Sequence, residues 1–222
     1  MKKIILVTTS VIIFCCSNLT GQNGTTFEYK ISSNKGASGS IKTYFSSPGS
    51  RVEMQMNMPQ AGAAGGTTLT TIVKNSTPAM VNILDDKNKT YISTEIPKKA
   101  ITGEDNRTVK VIGKEKVGNY NCIHVIVTEG TKSREYWTTT EIADYENYTK
   151  ANANTKFIGS NNDQDILAKN NAAGFVVKMI SKDANGVEQT IELVKTEKKD
   201  LSTGLFEVPA DYKASAITAP AK

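Results

Sequence analysis

Apolar and polar residues alternate with a period of two along most of the chain, the pattern of strands that bury one face. Phe27, Tyr29 and Ile31 alternate with Glu28 and Lys30, and Ile41, Thr43 and Phe45 with Lys42 and Tyr44. Val52, Met54, Met56 and Met58 alternate with Glu53, Gln55 and Asn57, and further strands are predicted over 69–73, 79–83, 109–117, 120–128, 134–138, 175–181 and 187–196, with one holding Tyr91 and Ile92. Turn formers sit between these runs: Ser47-Pro48-Gly49-Ser50, Asp85-Asp86-Lys87-Asn88, Gly118-Asn119, Gly130 and Asn185-Gly186. The last is a strong hairpin signal. Links this short predict consecutive strands paired antiparallel, a mainly β sheet in sequence order.

Helical periodicity is scarce. Thr138-x-x-Glu141 has capping-box spacing ahead of Ile142, Tyr145 and Tyr148, and Ser160-x-x-Asp163 precedes Ile166 and Leu167. Together they predict a helical insertion over about 140–173, and Pro97 opens one short turn over 97–102. The glycine- and alanine-rich run 59–66 has nothing to pack and reads as a flexible loop, as does the small, polar tail 214–222.

The first twenty-one residues have a different character. Lys2 and Lys3 precede an apolar run from Ile4 to Phe14, then Ser17-Asn18-Leu19-Thr20-Gly21. This is the layout of a secretory signal peptide, too short to span a bilayer. Cleavage after Gly21 would leave a soluble periplasmic protein starting at Gln22. Alternatively Cys16 would carry a lipid anchor, although Phe14-Cys15 is a bulky approach for that processing. The expected organisation is a signal peptide over 1–21, one β-rich domain over 22–213 and a flexible tail over 214–222.

Charge and cysteine count narrow the function classes. Losing Lys2 and Lys3 takes the formal charge from +5 to +3, and the basic residues are interspersed with acids, as in Lys114-Glu115-Lys116. Nucleic-acid binding needs a basic stripe, so no nucleic-acid partner is expected. Cys15 and Cys16 fall in the signal, leaving Cys122 as the single thiol of the domain. One thiol makes neither an internal disulfide nor a metal site.

The candidate chemistry is thin. Gly65-Gly66 is followed by Thr67-Thr68 and a β pattern, not by the Gly-Lys-Ser/Thr of a phosphate cradle. His124 shares a strand face with Cys122, but no orienting acid is evident at a suitable spacing, so a buried thiol and a satisfied histidine are expected. The acidic pairs Asp85-Asp86, Glu104-Asp105 and Asp163 with Asp165 each have a turn or helix-start role. No hydrolase motif occurs, and neither an enzyme nor a cofactor or metal is expected. The most suggestive feature is the row Met54-Met56-Met58, three flexible thioethers on one strand face that can adapt to apolar shapes, or fill an irregular core. Trp137, beside Tyr136, is a core anchor or a cavity rim.

Several stretches in order resemble a known family: Val117-Gly118-Asn119-Tyr120-Asn121-Cys122, Arg134-Glu135-Tyr136-Trp137-Thr138-Thr139, Gly174-Phe175-Val176-Val177-Lys178 and Phe206-Glu207-Val208-Pro209-Ala210-Asp211-Tyr212. The chain is similar to a domain-of-unknown-function family of exported envelope proteins, related in fold to the periplasmic lipoprotein carriers LolA and LolB. The resemblance implies a strongly bent antiparallel sheet, an incomplete barrel, with a few short helices over an apolar cavity. It transfers no site residue. The expected function is a monomeric, non-enzymatic binder of a lipid, acyl chain or lipoprotein, with Met54, Met56, Met58, Tyr136 and Trp137 as ligand-binding candidates. The alternative is a structural or protein-interaction module of the envelope with a filled core.

Overall fold

In a computed structural model of the 222-residue chain, the described residues are 21–58, 66–78, 80–95, 106–142 and 163–215. The predicted signal peptide up to residue 20, the loop 59–65, the turn at 97–102 and 143–162 of the helical insertion lie outside them.

The alternating runs all form strands: β1 (Gly21–Ser33), β2 (Ser38–Ser46), β3 (Gly49–Asn57), β4 (Thr67–Lys74), β5 (Met80–Asp85) and β6 (Thr90–Glu95). After these come β7 (Thr108–Val117), β8 (Tyr120–Glu129), β9 (Lys132–Thr139), β10 (Phe175–Lys182), β11 (Glu188–Ser202) and the short β12 (Lys213–Ala214). They make one sheet in the order β12-β6-β5-β4-β3-β2-β1-β11-β10-β9-β8-β7. The sheet is mainly antiparallel and not closed into a barrel, as expected.

Two expectations are corrected. The order is not sequential throughout: meanders β1–β6 and β7–β11 run outward to opposite edges and join at the centre through β1 and β11, from Gly21↔Ser202 to Ser33↔Gln189. Local turn signals cannot encode that pairing, because it joins the two ends of the domain. One pairing is parallel, β12 with β6, so Ala214 and Ser215, placed in the tail by sequence, hydrogen-bond alongside Tyr91.

The sheet must bend. From β6 to β7 there are ten strand spacings, about 48 Å if flat at ~4.8 Å each. The chain from Glu95 to Thr108 reaches at most about 47 Å fully extended. Ring contacts agree: Phe27 of β1 and Phe175 of β10 stand 4.6 Å apart although β11 lies between their strands, and the Tyr29 hydroxyl donates to the Val176 carbonyl. We call the face bearing Tyr29 and Tyr136 the inner face.

Register aligns the inner-face residues into transverse rows. One runs Val111, Val125, Tyr136, Met179, Ile191, Ile31, Gly39, Met56 and Thr67; a second runs Leu193, Tyr29, Ile41, Met54 and Leu69. One continuous core joins β1–β3 to β8–β11 and to the helix α1 (Asp163–Lys169), whose Ile166 and Leu167 are buried as the sequence predicts. Phe206, in a 3-10 turn over Thr203–Phe206, is fully buried against β3 and β4.

Candidate functional site

Along β3 the inner-face residues lose their cover step by step. Val52 is buried at 7 % exposure, Met54 and Met56 are half-buried against the core, and Met58, just beyond the strand, is 55 % exposed. Beside them Leu69, Ile83 and Ile92 on the same face are also half-buried. Gly39 lies opposite Met56, and a β-carbon there would come within 2.8 Å of the Met56 sulfur. The thioether therefore lies over the glycine, where no side chain competes for the space.

At the other end the same face is sealed by polar chemistry. Asp163 opens α1 and is fully buried. It accepts hydrogen bonds from Arg107 (2.6 Å), from Nε and Nη2 of Arg134 (2.5 and 3.2 Å) and from the Tyr136 hydroxyl (2.6 Å). Arg134 also donates to Glu129. Charges this deep persist only when paired, and here two guanidiniums meet two carboxylates. Burial, and then the Asp163 carboxylate, push the Tyr136 phenol well above its ordinary range. The local helix-start role expected of Asp163 is therefore too small: its partners lie 27 to 56 residues away and fasten α1 to β9. The predicted capping box also resolves differently. Thr138 donates to the Ala172 carbonyl from within β9, and Glu141 accepts two hydrogen bonds from Asn121.

On the outer face, His124 stacks on Trp137 with ring centroids 4.2 Å apart and planes 16° apart. Glu115 accepts from the Trp137 indole at 2.8 Å and stands 3.2 Å from Nδ1 of His124, while Glu135 stands 3.3 Å from Nε2. Lys178 lies over the indole at 4.8 Å. The acids not evident from spacing along β8 are thus supplied by β7 and β9. Cys122 is buried, and burial raises its thiol pKa.

Of the residues singled out by sequence, Met54 and Met56 share the inner face of β3, Met58 follows just past the strand's end, and Tyr136 lies on that face five strand positions away. Trp137, its neighbour in sequence, points to the opposite side, because successive strand residues alternate faces. The structure therefore does not bring these five together. Sequence reasoning missed the convergence of Arg107 and Arg134 on Asp163. The one available signal was that only three arginines occur and two of them, Arg107 and Arg134, precede the predicted insertion.

Among solved structures, the chain is similar to an uncharacterized conserved protein from Thermus thermophilus (TM-score 0.47, 10 % identity, 86 % of this chain and 89 % of that one). It is also similar to PNGF-II (TM-score 0.43, 12 % identity, 87 % of this chain and 31 % of that one). A third is MucB in its complex with MucA(peri) (TM-score 0.44, 7 % identity, 88 % of this chain and 57 % of that one). Likenesses this distant carry no argument about activity or partners. No curated protein matches the chain. A family model described as "Domain of unknown function (DUF4412)" matches residues 25–212, and the chain belongs to that family.

Proposed function

We propose that the protein is an exported, non-enzymatic binder of an apolar ligand such as an acyl chain, held against the inner face over β3–β6. The observation that carries this reading is the exposure gradient on β3, from buried Val52 to half-buried Met54 and Met56, followed just past the strand by an exposed Met58. An apolar chain laid along Met54, Met56, Leu69 and Ile83 would gain about 0.8 kcal/mol per buried methylene. Methionine suits such a surface because its unbranched thioether adapts to varied shapes. Export rests on the Lys2-Lys3 start and the apolar run after it. Whether Cys16 carries lipid is decided by mass spectrometry of the mature N-terminus.

The test is extraction and mass spectrometry of lipids that copurify with the protein, followed by titration with a fluorescent fatty acid. Bound lipid, and a titration weakened by Met56→Gln, support the reading. Lipid-free protein that also ignores the probe ends it.

A further inference from the structure

We propose that Met54, Met56 and Met58 form a thioether site for a soft monovalent cation, Cu(I), with Ag(I) as its redox-inert analogue. These are three of the six methionines of the chain, and the other two in the described domain, Met80 and Met179, stand singly on β5 and β10. Residues at alternate positions of a strand lie about 6.6–6.8 Å apart on one face. Met54 and Met56 therefore stand one such step apart on β3, and Met58 follows two residues on, just past the strand's end. Each side chain turns about three bonds, enough for neighbouring sulfurs to converge on one ion.

The surroundings fit this use. Across the strands Met54 faces Ile41 and Leu69, and Met56 faces Gly39 and Thr67. Gly39 leaves the Met56 sulfur uncrowded, and Met58 is exposed and free to swing toward it. Filling an irregular core explains Met54. It does not explain Met58, which fills nothing. No carboxylate or imidazole stands opposite Met54 or Met56, and no group of three His, Cys, Asp or Glu side chains placed to hold a metal occurs among the described residues. Hard divalent cations want oxygen ligands and are poorly served here, whereas thioethers select Cu(I). A thioether has no proton to lose, so this binding is not coupled to proton release as thiolate or imidazole binding is.

The site does not depend on the apolar-ligand reading, although both use the same row, and leucine separates them. Met→Leu keeps apolar bulk and removes the sulfur, a swap that cores tolerate well. In the parent protein carrying 13C-labelled methionine methyl groups, Ag(I) should shift the signals of Met54, Met56 and Met58 and leave Met80 and Met179 in place. In anaerobic competition with bicinchoninate under ascorbate, the chain should withdraw about one Cu(I). Replacing all three row methionines by leucine should weaken that by about tenfold or more, a loss at least equal to that of an outer-shell partner. Cys122→Ala should bind as the parent does, and affinity should stay level between about pH 5.5 and 8.

The site is refuted if saturating Ag(I) leaves the row methyls unmoved, or if the triple-leucine variant holds Cu(I) as tightly as the parent. Loss of binding in Cys122→Ala, or a steep fall toward acid, would assign the metal to a thiolate or to His124 and overturn the proposal equally. The triple-leucine variant should still take a fluorescent fatty acid. A parent that holds Cu(I) but no fatty acid would therefore remove the apolar-ligand reading alone.

Discussion

The inner face of one sheet ends in two ways. Over β9, α1 lies across it, and Asp163, Arg107, Arg134 and Tyr136 lock the cover with charge-assisted hydrogen bonds. Over β3 the cover thins from buried Val52 to half-buried Met54 and Met56, and Met58 past the strand's end is exposed. Both regions are written in the same alternating pattern, so alternation specifies a face to be buried and not what buries it. The charged cluster is fixed by directional contacts, whereas the methionine row is adaptable.

Breaking the sealed end should have the largest effect. Asp163→Ala leaves two guanidiniums and a phenol under cover without their carboxylate, and urea denaturation should show a loss of about 3–5 kcal/mol. A loss under about 1 kcal/mol would mean that water reaches the cluster and the seal is not one.

Crowding the open end comes next. In Gly39→Ala the new methyl group meets the Gln55 carbonyl and the Met56 sulfur, at 2.2 and 2.8 Å from its ideal position. Overpacking of this kind costs about 1–3 kcal/mol. Fatty-acid affinity should fall with it as Met56 is displaced; an unchanged affinity would detach Met56 from the ligand surface.

Alkali should strain the sealed end through Tyr136. Burial and Asp163 keep the Tyr136 phenol protonated above its ordinary value of 10.0. Above about pH 10 the unfolded chain gives up that proton while the folded chain keeps it, so the unfolded state binds fewer protons and stability falls. The slope for this one group approaches about 1.4 kcal/mol per pH unit. In Tyr136→Phe that part of the slope should vanish in denaturation curves taken between about pH 9 and 11, although the variant is less stable at neutral pH through the lost hydrogen bond.

Met58→Ala should do least to the fold, within about 0.5 kcal/mol as for exposed positions generally. It sharpens the contrast through binding instead: the thermal midpoint should hold while fatty-acid affinity drops.

The strands were legible at nearly every alternating run, since a period of two and turn formers such as Asn185-Gly186 act over a few residues. Gly186 indeed takes φ +74 in that turn, with the Asp183 side chain accepting from the Asn185 and Val187 amides. The methionine row was legible for the same reason. The clusters were not. Glu115 and Glu135 reach His124 from strands on either side, and Arg107 reaches Asp163 across 56 residues. No local spacing announces such pairs.

Sequence by itself determined which residues share a face, where the chain turns and that α1 buries Ile166 and Leu167, because these follow from the geometry of one or two neighbouring elements. The tertiary structure alone decided that β1 closes on β11, that β12 runs parallel along β6, that Tyr136 and Trp137 serve opposite sides, and which part of the inner face is covered. Those depend on how a bent sheet brings distant segments together. The chain commits to them only as non-local contacts offset the entropy of closing long loops.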